Sequence, residues 1–344
     1  MKTTEFSTQL PIFWFKTFDA ALKQKFAESS QFWGGDEQYQ ALCFAQSVSA
    51  YQLEHAITQV YQSHGDDLFE CFSLTADYFD EIELGAPVLT MLTAPTLVRF
   101  CELLCRYSIH IHPLLKLICR ETKHGELELW VVTHEFVDEI TLVSHLSLGL
   151  YLSIILKMIR RYLKAPTLRL PIHINRITID NDVTPLIEQI FNVEVRKGYP
   201  ARYFLFNKQL VDKVHRNFDP ELHDRLIALA EQQTYHLAEN SILYKVNRVL
   251  QNTTVNLISL ESVAAGLNMS PRTLNRRLQH EGVSFRRLFD KYRLELSLNM
   301  LNQENLSVTY IAHELGFSDS SAFSRAFKRW TGESPKQKIA RVNL

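Results

Sequence analysis

Arg272, Asn275, Arg276 and Gln279 recur at steps of three and four residues, and Ser320, Ser321, Ser324, Arg325 and Lys328 repeat the arrangement further along the chain. On a helix such steps gather side chains on one face. The chemistry of these residues is recognition. Arg pairs bidentately with guanine, Asn and Gln with adenine, Ser with base edges or phosphate, and Lys acts as a point charge on phosphate. No nucleophile with an adjacent base is included.

The faces opposite these residues are apolar and predict the elements that must hold them. Leu274 and Leu278 lie four apart in a helix predicted over residues 271–280, with Ser270 as N-cap, Pro271 in the first turn and Gly282 after its end. Leu260, Val263, Ala264 and Leu267 predict a shorter helix before it, with Gly266 and Asn268 around a tight turn plugged by Met269. The plan recurs with Val308, Ile311, Ala312 and Leu315, a turn at Gly316, and Phe317 in the place of Met269. The following helix runs to Trp330 and buries Ala322, Phe323, Ala326 and Phe327, with Ser318 and Asp319 both credible caps. Aligning Leu274 with Phe323 makes the second turn one residue longer. These are two helix-turn-helix patterns.

A helix predicted over residues 284–301 would join the units. At 1.5 Å per residue it spans roughly 27 Å. With the width of the flanking helices this approaches the roughly 34 Å turn of B-DNA, which suits entry into successive major grooves on one side. The competing reading is a pair of helical hairpins in an ordinary bundle. Two matched turns with exposed Arg weigh against it.

Charge distribution agrees. The chain carries 37 Lys+Arg and 38 Asp+Glu, net −1. From residue 238 onward 15 basic residues face 9 acidic ones, a balance of +6, which leaves 22 against 29, or −7, for the rest. A basic tail neutralises phosphates and an acidic front is repelled by them. Apolar residues at 46% and charged residues at 22% fit a soluble globular chain. The odd number of cysteines, five, and a polar stretch over residues 1–10 suggest free thiols, no signal peptide and a cytoplasmic location. The most apolar run, residues 142–158, contains His145 and Lys157 and reads as a buried helix, with no membrane partner.

The front reads as a mixed α+β domain over residues 1–230, followed by a linker at 231–241 and an all-α domain at 242–344. A helix is expected over 19–28, two helical pieces over 39–64 broken near Ser47–Ser49, and a helix opened by Thr93–Ala94–Pro95 with Leu97, Phe100, Cys101, Leu104 and Cys105 on its buried stripe. Strands are expected at 108–112, 115–120, 127–132, 168–179 and 203–206, the second and third as a hairpin around Lys123–His124–Gly125. Helices are expected at 142–162, 184–191 and 220–237. Cys101, Cys105, His110 and His112 give a C-x3-C-x4-H-x-H spacing, but the cysteines lie on the apolar stripe and the histidines on the expected strand. No metal and no cofactor is expected.

The run from Ile311 to Pro335, with Ile311–Ala312–His313–Glu314–Leu315–Gly316–Phe317–Ser318–Asp319, Phe323–Ser324–Arg325–Ala326–Phe327–Lys328–Arg329–Trp330 and Thr331–Gly332–Glu333–Ser334–Pro335, resembles the AraC/XylS family of transcription regulators. Tyr292–Arg293–Leu294–Glu295–Leu296 and Asn299–Met300–Leu301 extend the resemblance, which covers residues 242–341. It implies that Arg272, Asn275, Arg276, Ser320, Ser321, Ser324 and Arg325 face DNA. The first unit departs from the family in having Asn268–Met269 where Gly and an aromatic are common. Leu84–Gly85–Ala86–Pro87, Thr93–Ala94–Pro95–Thr96–Leu97, Cys105–Arg106–Tyr107 and Asp219–Pro220–Glu221–Leu222 are similar to the effector domain of the ornithine-utilisation-regulator branch.

The resemblance implies a ligand-responsive regulator with promoter DNA, RNA polymerase and an unidentified small-molecule effector as partners. Activation is the family's usual mode; repression and a homodimer stay open. An enzyme with a DNA-binding tail is the rival. The sequence has no G-x-S-x-G elbow, no H-E-x-x-H and no phosphate-binding loop, so no enzymatic activity is expected. A non-specific nucleoid protein is the third reading.

Overall fold

The computed structural model describes residues 8–113, 115–122, 124–132, 145–174, 183–197, 202–213, 218–301 and 306–342. The chain opens on β1 (Gln9–Pro11), which pairs antiparallel with β2 (Ser47–Ser49). Between them lie α1 (Phe13–Phe26) and α2 (Asp36–Cys43), and after them α3 (Ala50–His64), α4 (Asp67–Tyr78), α5 (Ala86–Leu92) and α6 (Leu97–Ile111). α1 starts earlier than expected. Phe13, Trp14, Phe15, Phe18 and Leu22 are all buried, and over residues 13–22 only Lys16 is exposed, so the amphipathic period is faint in the first turns. The break between α2 and α3 falls as anticipated, and Ser49 opens α3 in a capping box with Gln52.

The strand expected at 108–112 does not exist. These residues complete α6, whose buried Leu104, Tyr107, Ser108 and Ile111 keep helical spacing up to Pro113. The short alternation Ile109-His110-Ile111-His112 fits both periods, and the longer stripe decides. The cap of α6 is Thr96, which accepts the Arg99 N–H, rather than Thr93. Thr93 instead ends α5, and its hydroxyl meets His223 Nδ1 at 3.0 Å.

The hairpin is present as β3 (Lys116–Glu121) and β4 (Leu127–Val132), antiparallel. Then come α7 (His145–Leu163), β5 (Leu170–His173), α8 (Thr184–Phe191), β6 (Val193–Arg196), β7 (Arg202–Phe206), α9 (Lys208–Val211) and α10 (Pro220–Asn240). The four-residue β6 was not expected; it pairs parallel with β5 at the edge of a five-stranded sheet of order β3-β4-β7-β5-β6. Expected residues 142–144 of the α7 helix and 175–179 of the β5 strand lie outside the described residues. Residues 231–240, read as linker, are the second half of α10, where Ala230 and Thr234 are buried and Glu231 bonds Tyr107. Their polar composition is that of an amphipathic helix resting on the domain.

The rest is helical: α11 (Ile242–Gln251), α12 (Leu260–Gly266), α13 (Pro271–His280), α14 (Phe285–Met300), α15 (Val308–Glu314), α16 (Ser320–Thr331) and α17 (Pro335–Val342). The fold is therefore α+β in front and all-α behind.

The sheet separates two cores. Leu127, Leu129, Val131, Phe204 and Phe206 face the helices of the front domain. Ile118, Trp130 and Tyr203 alternate with them and share a core with Leu294, Leu298, Ile311, Phe323 and Phe327. Trp130 stacks on Tyr203 (5.3 Å, 12°), Tyr203 on His173 (4.4 Å, 11°), and Lys338 Nζ of α17 stands 4.6 Å over the Trp130 ring. Arg120 is buried nearby, 3.8 Å from Glu128, and Glu333 also acts on it electrostatically. Burial lowers the Arg120 pKa from its ordinary value. Lys116 on β3 adds an ion pair to Glu295 on α14 at 3.1 Å.

Candidate nucleic-acid interface

The two turns share one hydrogen-bond plan. Met269 N–H donates to the Ala264 carbonyl and Phe317 N–H to the Ala312 carbonyl, each at 2.9 Å. Asn268 and Gly316, the residues before them, have φ of 54° and 70°. Ala264 and Ala312 are buried, so the paired helices approach closely there. At Gly316 the nearest atoms to a Cβ are side-chain ends that can move, Asn256 Oδ1 at 2.9 Å first, so it is the positive φ that favours glycine there.

α13 is capped by Ser270, whose Oγ accepts the Thr273 N–H at 3.1 Å, and Pro271 takes the first helical position. α16 settles the choice of caps: Asp319 Oδ1 accepts the Ala322 N–H at 2.7 Å. That bond, and then the Ser318 hydroxyl, hold the Asp319 carboxyl below the usual carboxylate range. Leu274, Leu278, Phe323 and Phe327 are fully buried, which fixes the rotation of both helices.

That rotation leaves Arg272, Arg276, Gln279, Ser321, Arg325 and Lys328 exposed, while Asn275, Ser320 and Ser324 are half-buried. Ser324 Oγ donates to the Ser320 carbonyl at 2.7 Å, so its proton serves the helix and only its lone pairs face outward. Arg276 also lines a surface depression of about 310 Å³ with Lys245, Arg277 and His280. Lys245 comes from α11, and no periodicity argument brings it to Arg276.

Two further side chains hold the second unit to α14. Arg293 stacks between Phe289 (4.0 Å) and Phe317 (4.6 Å) and donates from Nη2 to the Gly316 carbonyl at 3.1 Å. Burial lowers its pKa from the ordinary value. Arg329 on α16 pairs with Asp290 at 3.2 Å. Both arginines were visible in the sequence, but only the packing of α14 against the second turn and α16 gives them these partners.

The Cys-His set does not converge. Among the described residues no three His, Cys, Asp or Glu side chains form a metal-binding group. Cys101 is buried and its thiol pKa is raised well above the ordinary value, mostly by desolvation. His110 bonds Thr234 at 2.8 Å, and His112 packs on Tyr151. Nor is any helix among the described residues long and apolar enough to cross a membrane.

Residues 263–341 match the family model described as a helix-turn-helix domain. An uncharacterized HTH-type transcriptional regulator of Mycobacterium tuberculosis is 44% identical over 75 residues, 22% of each chain. The ornithine utilization regulator of Pseudomonas aeruginosa is 35% identical over 114 residues, 32% of this chain and 34% of that one. The chain thus spans about a third or less of the length of these two relatives. The crystal structure of the transcriptional regulator CdpR from Pseudomonas aeruginosa covers 95% of this chain and 98% of its own at 18% identity, with a TM-score of 0.45. With two helix-turn-helix units built on one plan and a matched stretch shared with named regulators, the chain carries the helix-turn-helix domain of the AraC/XylS family.

Proposed function

We propose that this chain is a sequence-specific, ligand-responsive transcription regulator that places α13 and α16 in successive major grooves of promoter DNA. The observation that carries the reading is the orientation of the two helices. α13 buries Leu274 and Leu278 and α16 buries Phe323, Ala326 and Phe327, with Ala322 half-buried; each turns arginine outward, and the Arg293 and Asp290 contacts hold the second unit to α14. The 16 residues of α14 span about 24 Å at 1.5 Å per residue.

In this reading Arg272, Asn275, Arg276, Gln279 and Arg325 read base edges. Ser320, Ser321 and Ser324 contact bases or phosphate, and Lys328 neutralises phosphate. The front domain binds a small effector. Its sheet touches the second unit directly through Trp130, Tyr203 and Lys338, which supports a route from effector to DNA. RNA polymerase is the onward partner, activation the mode, and a homodimer the arrangement to be tested by sedimentation.

The experiment is selection of bound fragments from random duplex DNA with the full chain, followed by footprinting. The expected result is one sequence with two protected patches a helical turn apart. Equal affinity for all sequences, or a single protected patch, overturns the reading. Binding should weaken steeply with salt, by a log–log slope of about −0.9 per phosphate neutralised.

A further inference from the structure

We infer that the depression between α11 and the C-terminal half of α13 holds one backbone phosphate of the DNA, at the edge of the groove that α13 enters. This rests on the DNA-binding reading above and adds a contact outside the two recognition faces. The depression measures about 310 Å³ and is lined by Ile242 and Lys245 of α11 and by Arg276, Arg277, His280 and Glu281. Burial of Ile242, Val246 and Leu250 fixes the rotation of α11, and burial of Leu274 and Leu278 fixes that of α13. Lys245, half-buried, is thereby brought against two exposed arginines of another helix.

This gathering of cations runs against local electrostatics. Arg277 and His280 lie in the last turn of α13, where the helix dipole favours positive charge. Lys245 gains nothing of the kind. It stands at the end of the first turn of α11, near the positive end of that helix, and the arginines repel it. Among the described residues no carboxylate pairs with Lys245, Arg276 or Arg277. Glu281 is the only acid among the described lining residues, and it is tied to Thr8, whose hydroxyl stands 2.8 Å from the Glu281 backbone carbonyl and 3.1 Å from Oε2. Three fixed cations thus face one carboxylate in one concavity, and an anion there relieves their repulsion.

DNA supplies that anion. Arg276 belongs both to the depression and to the outward face of α13, and from Arg276 to His280 is one helical turn, roughly 6 Å along the axis. An anion in the depression therefore lies beside the face that meets the bases. The planar fork of Arg277 matches two phosphate oxygens, and Lys245 adds a point charge from the opposite wall. Such a contact carries no sequence information; it sets the register of α13 on the duplex.

The test is titration of the full chain with its selected operator and with random duplex over a range of salt, for wild type and K245Q/R277Q. Glutamine removes both charges and keeps much of each stem. Loss of one phosphate contact should make the log–log salt slope shallower by about 0.9, which is about eightfold weaker binding at about 0.1 M salt and about twofold at about 0.5 M, alike for both duplexes. A scan with single methylphosphonate linkages locates the contact. One neutral linkage beside the patch protected by α13 should cost the wild type about eightfold and K245Q/R277Q nothing. The wild-type scan does not depend on how the variant folds, so the absence of any sensitive linkage there overturns the site. An unchanged salt slope in K245Q/R277Q, a loss confined to the operator, or a loss that every methylphosphonate duplex retains in full also overturns it. Inorganic phosphate that displaces duplex from the wild type alone, at constant ionic strength, makes a free anion the occupant and refutes the assignment to DNA. A chain that selects no sequence yet shows the slope difference refutes the regulator alone. A chain that selects its operator while K245Q/R277Q matches it at every salt refutes the phosphate site alone.

Discussion

Replacing Arg293 by alanine should loosen the second helix-turn-helix unit and leave the first intact. The guanidinium lies over two rings, each worth about 0.5–1 kcal/mol, and donates one charge-assisted bond to the Gly316 carbonyl, worth about 1.5–3 kcal/mol. Relief of burying the charge returns part of this, which leaves a net loss of about 2–3 kcal/mol. That corresponds to a roughly 30- to 150-fold rise in the opening of α15 and α16. Amide hydrogen exchange on the full chain reads it locally, since a multidomain chain has no single unfolding free energy. Amides of residues 308–331 should exchange faster by that factor, those of 271–280 should not, and the footprint should shrink to one patch. Arg293→Lys keeps the charge without the planar fork and should fall between. A change under about threefold in α15 and α16, or equal loosening of α13, refutes the assignment of Arg293 as the clamp.

Arg325→Ala should cost about 1–3 kcal/mol in operator binding and relax base preference at one position, whereas Lys328→Ala should weaken all sequences alike; operator titrations that show no change for the first, or a loss confined to one sequence for the second, contradict those roles. Gly316→Ala should destabilise the second unit by about 1–2 kcal/mol, since a Cβ at φ 70° is strained; wild-type exchange rates in this variant would count against the turn geometry. Burial lowers the pKa of His110 to about 4 and of His112 to about 3. The unfolded chain takes up these protons below about pH 6.5, so their contribution is full above that value and falls towards pH 4 and 3 by about 1.4 kcal/mol per pH unit per histidine. Denaturant midpoints should drop between pH 7 and 5, less steeply in His110→Gln; identical slopes would show that His110 does not titrate this way.

The local rules determined the two helix-turn-helix units. A proline after a serine cap, a small residue at the helix crossing and a turn tolerant of positive φ are each set within a few residues. The apolar stripes at Leu274/Leu278 and Phe323/Phe327 then dictate which side chains must face outward. The hairpin of β3 and β4 was legible for the same reason, because alternation and the turn lie next to each other. Tertiary structure decided what depends on residues far apart. The Ile109–His112 alternation went to helix because the buried stripe of α6 runs through it, and the start of α1 was obscured because Lys16 alone is exposed over residues 13–22. Arg293 acquires its role only when α14 crosses Phe317. The sheet's two faces, with Arg202 on one and Tyr203 turned towards the second unit on the other, follow from register and packing among segments tens of residues or more apart. Alternation along β7 alone shows that its two faces differ and leaves open what covers each, because burial is a property of the assembled layers.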